Sequence, residues 1–229
     1  MIRAILLDWA GTTVDHGSRA PVAVMLDLFA AHGFAITEQE ARVPMGLPKR
    51  DHIAAILAMP RVAESYRGPG LDELYADFLP RQLEVLSRHA DLIPGVAETV
   101  HTWQAAGIKI ATSTGYTRPM LDLLVTRARE QGYRPDANFC PDDVDGGRPA
   151  PWMAFAAMRA LDIYPPNAWV KIGDTPSDIE EGRNAGMWTI GVTDTGNEAG
   201  DPSRFIAAGA HYVCSSVAEA PPIVAELGR

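Results

Sequence analysis

This chain has little of what would tie it to a membrane, a nucleic acid or an oxidising compartment. No apolar run in its 229 residues approaches the ~20 residues that a membrane-spanning helix needs. Basic residues are in deficit. Lys plus Arg number 20 against 29 Asp plus Glu, a formal net charge of −9. Nucleic-acid and anionic-membrane surfaces need a basic patch, so neither partner is expected. An anionic small molecule stays possible, because a cleft can be locally positive inside an acidic protein. Cysteine is scarce as well. Cys140 and Cys214 are the only two, no metal-type spacing links them, and two such thiols fit a reducing cytoplasm. Low-complexity tracts, charge blocks and repeats are absent. Met1 to Ala4 runs straight into an apolar strand, so no signal peptide is expected.

A composition of 47% hydrophobic and 21% charged residues is that of a globular protein. Its apolar patterning alternates between strand and helix. Ile5 to Asp8 reads as a buried strand entering a polar turn. From about Arg19 to Leu92 the pattern is helical throughout, over Arg19 to His32, Thr37 to Ala41, Asp51 to Met59 and Leu71 to Arg88. Thr37 and Glu40 form a capping box, and Pro60 stops the third stretch. Alternation resumes at Val96, with strands expected at 108–112, 138–140, 169–172, 188–192 and 211–213 and helices between them. Such alternation implies right-handed crossovers and a parallel sheet covered on both faces. The expected fold is α/β, a Rossmann-like core of residues 1–15 and 96–229 with an all-helical cap, residues 16–95, inserted after the first strand.

Reactive groups in such folds sit at the carboxyl ends of the strands. Asp8 ends the first strand and Thr114 the second. Arg148 lies on a later loop, and Asp174 and Asp178 follow another strand. A nucleophilic carboxylate, a hydroxyl, a cation and two further acids at one sheet edge are the parts that phosphoryl transfer through an aspartyl-phosphate needs. The run Asp8-Trp9-Ala10-Gly11-Thr12-Thr13 resembles the first motif of the haloacid dehalogenase superfamily, whose phosphatases usually carry Asp-x-Asp. Here the second acid is replaced by Ala10. That acid protonates an oxygen leaving group, so its absence suggests a reaction that expels no alkoxide. The resemblance implies a Mg²⁺ ion on Asp8, the backbone carbonyl of Ala10 and Asp174, with Asp178 as an outer partner. Oxygen-only ligands suit that ion.

Lys49 gives the substitution at position 10 a meaning. It follows a Gly and Pro turn, Met45-Gly46-Leu47-Pro48, at the start of a helix. Apolar neighbours and a helix N-terminus both disfavour its charged form, as a Schiff-base lysine requires. His52 lies three residues on, within reach for proton transfer. Together with Thr114-Gly115-Tyr116-Thr117-Arg118, Gly147-Arg148-Pro149, Gly173-Asp174-Thr175 and Glu181-Gly182-Arg183-Asn184-Ala185-Gly186-Met187-Trp188, these residues resemble the phosphonoacetaldehyde hydrolases. That resemblance spans about residues 1–195. It implies P–C bond cleavage in 2-aminoethylphosphonate degradation, with Asp8, Lys49 and His52 catalytic. Thr12, Thr114, Gly115, Arg148, Met45 and Tyr116 would bind the phosphonate substrate. It also implies a cytoplasmic homodimer pairing through the cap helix Arg19 to His32.

Two departures accompany the resemblance. Ser18 stands where the family often has cysteine, and the stretch after Val192 is short. The alternatives are a phosphatase for a small phosphate ester, a related hydrolase for another carbonyl phosphonate, a dehalogenase attacking carbon, and an inactive binding protein. The first would call for an acid at position 10 and the third for no metal acids. The last conflicts with an intact Asp8, Thr114, Arg148 and Asp174.

Overall fold

The computed structural model describes residues 1–197 and 200–228; residues 198, 199 and 229 of the expected core segment lie outside the described part. Six strands form one parallel sheet: β1 (Ala4–Leu7), β2 (Lys109–Ser113), β3 (Ala137–Phe139), β4 (Trp169–Gly173), β5 (Trp188–Val192) and β6 (Tyr212–Cys214), in the order β3-β2-β1-β4-β5-β6. β1 is apolar at every position because it is central and covered on both sides. Its residues alternate between two cores. Ile5 and Leu7 enter the larger one, and Ala4 and Leu6 the smaller. Leu7 lies opposite Thr112 of β2 and Ile172 of β4, so three adjacent strands end together. From β1 the sheet grows outward through β2 and β3, then on the other side through β4 to β6. The switch point therefore falls beside β1, where such folds open their binding crevice.

Between β1 and β2 the chain builds α1 (Arg19–Ala31), α2 (Glu38–Arg42), α3 (Lys49–Leu57), α4 (Pro60–Ser65) and α5 (Leu71–Leu86), which pack on one another. α6 (Val96–Ala105) returns to pack on β2. The chain leaves the sheet through Asp15, Gly17 and Ser18, all at positive φ, and comes back through Gly95 at φ 84°. Helices α7 (Arg118–Glu130), α8 (Trp152–Leu161), α9 (Pro176–Asn184), α10 (Ser203–Ala207) and α11 (Pro221–Leu227) complete the layers.

The Thr37–Glu40 capping box is present at α2. Strand and helix ends fall within one or two residues of the pattern-based expectation, and three helix starts carry detail the pattern did not show. Pro60 ends one helix and also opens the next, since a proline is well suited to the first helical position. α3 begins at Lys49 rather than Asp51. α9 begins at Pro176, with Thr175 as its cap and Asp178 closing a capping box from the third position. α10 carries too few periodic residues to be read from pattern.

Candidate active site

The loop after β1 folds back tightly, with Thr13 Oγ1 donating to the carbonyls of Asp8 and Trp9 at 3.0 and 3.1 Å. Gly11, at φ 80°, lies so close to Asp174 that a Cβ there would sit 2.2 Å from Oδ2. Glycine is what lets the two acid-bearing loops meet. Ligand oxygens of Asp8, Asp174 and Asp178, all buried, lie within 4.8 Å of one another. Burial raises the Asp8 pKa, and Arg148 opposes it. Burial also raises Asp174 well above the carboxylate range, and the charges of Asp8 and Asp178 add to it. Ser18 Oγ and the Asn197 backbone N–H each donate to Asp174 Oδ2 at 2.9 Å, and Thr12 Oγ1 lies 3.5 Å from Oδ1.

Asp178 is a different kind of acid. Its Oδ1 lies 2.7 Å from Arg148 Nη1 and 2.9 Å from Lys171 Nζ. Its Oδ2 accepts from the Thr175 hydroxyl at 2.7 Å and the Thr175 N–H at 3.2 Å. Burial pushes its pKa up, but Arg148 and Lys171 outweigh burial and hold it below the usual value. Both oxygens are committed to the protein. Arg148 Nη2 donates to Asp8 Oδ1 at 2.6 Å and also to the Ser113 carbonyl.

Lys49 reaches this edge from the cap. It is 5% exposed, and its Nζ lies 4.9 Å above the centre of the Tyr116 ring. Burial lowers its pKa to about 8, and Arg148 adds to this while the nearby acids oppose it. His52 is fully buried. Its Nε2 lies 2.8 Å from the Ala41 carbonyl, so the ring proton sits on Nε2 and Nδ1 is left bare and unpartnered. Burial, then the Lys49 charge, lower its pKa to about 3, so the imidazole is neutral.

A narrow cavity of about 20 Å³ lies between cap and sheet, with room for about one water. Of the residues expected at a site, Asp8, Ala10, Met45, Lys49, Thr114, Gly115, Tyr116, Arg148 and Asp174 line it. Thr12, His52 and Asp178 stand behind its wall. Thr12 turns to Asp174 and not to the cavity. Ser18 and Thr175 line it too, and the fully buried Lys171 and Glu181 support it. Sequence reading missed these two as site residues. Lys171 sits in an otherwise apolar strand, where a lone cation with no acid beside it in the chain is the available signal.

A family model for haloacid dehalogenase-like hydrolases matches residues 2–186, and the chain belongs to that family. Its full-length relatives narrow the group further. The chain is 42% identical to a phosphonoacetaldehyde hydrolase of Syntrophobacter fumaroxidans, over 99% of this chain and 92% of the relative. It is 41% identical to one of Bacillus cytotoxicus, over 97% and 95%. The crystal structure of a phosphonoacetaldehyde hydrolase-like protein from Oleispira antarctica matches it with a TM-score of 0.96 at 36% identity, covering 100% of this chain and 93% of the other.

Proposed function

We propose that this hydrolase cleaves the P–C bond of phosphonoacetaldehyde to acetaldehyde and phosphate, within 2-aminoethylphosphonate degradation. One observation carries the reading. A buried lysine with its pKa brought down to about 8 shares a small cavity with an aspartate nucleophile, and Ala10 supplies no acid for an oxygen leaving group. Breaking a P–C bond requires a place for the carbon's electron pair. The neutral Lys49 amine condenses with the aldehyde, releasing water, and the imine takes up one proton to become an iminium. Asp8 then attacks phosphorus. The P–C electron pair moves into the iminium, giving an enamine and the Asp8 aspartyl-phosphate. Protonation of the enamine carbon and hydrolysis of the imine return acetaldehyde and free Lys49. Water hydrolyses the aspartyl-phosphate.

Arg148 and the hydroxyl of Thr114 hold the phosphoryl oxygens, with the Gly115 backbone and Thr12 behind them. Met45 and Tyr116 shape the aldehyde end. His52 offers its bare Nδ1 as a proton acceptor during imine formation. Burial and the Lys49 charge hold its pKa near 3, which makes it a weak base, and the Lys49 share of that shift is lost once the amine is neutral. Two buried carboxyls, Asp8 and Asp174, are both pushed upward by burial and by negative neighbours. With only oxygen donors around them, they fit a hard divalent cation. Mg²⁺ held by Asp8, the Ala10 carbonyl and Asp174, with Asp178 outside, would screen the nucleophile from the phosphoryl anion. A cavity with room for about one water admits a phosphonate only when the cap opens over the core.

Residues 16–95 serve as the cap and close over the core about Asp15 to Ser18 and Ile93 to Gly95. A homodimer through the outer face of α1, in the cytoplasm, completes the proposal.

The deciding comparison is wild type against Lys49→Arg, with phosphate and acetaldehyde release from phosphonoacetaldehyde and Mg²⁺ measured together. Borohydride added with substrate should fix an adduct on Lys49. The chain's other lysines do not face the cavity: Lys109 is exposed and pairs with Asp136 at 2.8 Å, and Lys171 is buried among ions. Equal release of both products, lost in the variant, supports the reading. Wild-type inactivity here, with phosphate esters turned over regardless of Lys49→Arg, rejects it.

A further inference from the structure

Behind the cavity wall lie two charged side chains to which the proposed reaction gives no part. Lys171, within β4, and Glu181, on α9, are both fully buried. Glu181 Oε2 lies 3.1 Å from Arg148 Nε and 3.1 Å from Lys171 Nζ, and it accepts from the Ser113 hydroxyl at 2.8 Å. That hydroxyl in turn accepts from Lys171 Nζ at 2.8 Å and Arg148 Nη2 at 3.1 Å.

The guanidinium of Arg148 is therefore held along each of its edges. Nε is tied to Glu181, Nη1 to Asp178, and Nη2 to Asp8 and Ser113. A planar fork fixed at Nε and Nη1 cannot turn in its plane, so the direction of Nη2 is set by the other two. The charges divide in a telling way. Arg148 is shared among Asp8, Asp178 and Glu181, and Lys171 between Asp178 and Glu181, so the two cations are outnumbered by four acids and the excess sits beside Asp174, where a divalent cation would offset it. A buried ion cluster is a poor means of stabilisation, since apolar residues of similar volume often serve as well or better. What apolar residues cannot do is aim one nitrogen at a nucleophile.

We infer that Glu181 and Lys171 are positioning residues for phosphoryl transfer: Glu181 anchors Arg148 Nε, and Lys171 cancels the charge this anchor buries. Together they hold Arg148 Nη2 where Asp8 and the equatorial phosphoryl oxygens meet. The inference rests on the reading of Asp8 as nucleophile and Arg148 as phosphoryl ligand. It separates the two halves of the reaction, because burial is the main cause of the lowered Lys49 pKa and Arg148 only adds to it, and these variants keep the Arg148 charge.

The test uses the full chain with Glu181→Gln, Lys171→Met and the charge-balanced double variant. Three quantities are read: affinity for inorganic phosphate with Mg²⁺ by calorimetry, kcat and KM on phosphonoacetaldehyde, and the yield of borohydride-trapped Lys49. Each single variant should lose ~10- to 100-fold in kcat and in phosphate affinity, the usual effect of removing a supporting partner, with trapping unchanged. The double variant should recover melting temperature without recovering kcat. Phosphate affinity and kcat that match wild type in the folded variants would overturn the inference, as would equal losses in trapping and phosphate binding. If the single variants do not fold, Ser113→Ala keeps every charge and removes only the shared hydroxyl. It should weaken phosphate binding with trapping intact, and an unchanged phosphate affinity overturns the inference. A wild type that binds phosphate but leaves phosphonoacetaldehyde intact rejects the proposed reaction alone; the phosphate measurements still decide the role of Glu181 and Lys171.

Discussion

A lysine ammonium taken out of water is held in its charged form less firmly than one in solvent, and Lys49 shows the consequence. Its pKa falls from 10.5 to about 8, a shift of roughly 3 kcal/mol against the charged form at about 1.4 kcal/mol per unit. The neutral amine, the form that condenses with an aldehyde, grows as pH rises through about 8. We expect kcat/KM for phosphonoacetaldehyde to rise with pH across that point and then level, in a profile measured at saturating Mg²⁺. A profile flat from pH 6 to 10 contradicts a titrating Lys49. Stability follows the same titration. Between about 8 and 10.5 the unfolded chain binds the proton that the folded chain has released, so stability rises with pH in that window. Lys49→Met removes the buried ammonium, and should abolish turnover while raising the melting temperature at pH 7.

At the scale of elements, the cap's loop from Pro44 to Pro48 lies against core loops that carry glycine where it touches them. A Cβ on Gly147 would sit 2.2 Å from Pro48 Cγ, next to the arginine that contacts Asp8. Gly147→Ala should push this loop outward and carry Lys49 at the head of α3 away from Asp8. A displacement of about an ångström between reacting groups can cost ~100-fold. We therefore expect kcat to drop by one to two orders of magnitude with little change in melting temperature, since Gly147 is only half-buried. Steady-state kinetics beside thermal unfolding checks this. Unchanged kcat means that the loop's docking does not place Lys49. The apolar pattern made the strands and most helices legible, because alternation and helical periodicity are local properties of the chain. It misread Pro60 as an end only, since a proline that cannot continue one helix is equally fit to begin another.

For the molecule as a whole, the excess of buried acid at the sheet's switch point, where Asp8 and Asp174 meet, makes stability and activity depend on a cation. Ligand binding to the folded state alone adds RT ln(1 + [L]/Kd), about 2.7 kcal/mol at a hundredfold excess over Kd. For a chain of this size that is roughly 5–10 °C in melting temperature. Mg²⁺ should raise the melting temperature of wild type by that order and leave Asp174→Asn unmoved. Chelation should stop phosphate release yet spare borohydride trapping at Lys49. A melting temperature indifferent to Mg²⁺ in wild type would remove the acid pair as a metal site. No described helix is long and apolar enough to cross a membrane.

The sequence by itself determined the strand–helix alternation, the place of Asp8 at the end of β1 and the pairing of Ala10 with Lys49. The first two are matters of residue type within a short window, and the third rests on family resemblance between positions 10 and 49. Only the tertiary structure decided which polar groups share which charge. Arg148 meets Asp8 from 140 positions away, and Asp178 closes a helix cap locally while its other oxygen faces Arg148 and Lys171. Thr12 could equally have faced substrate until the fold turned it to Asp174. Glu181 carries no local mark of its role, and Lys171 only that of a lone cation in an apolar strand. An ion pair in a buried site is set by how distant strands and loops come together, and that geometry exists only when the sheet has formed.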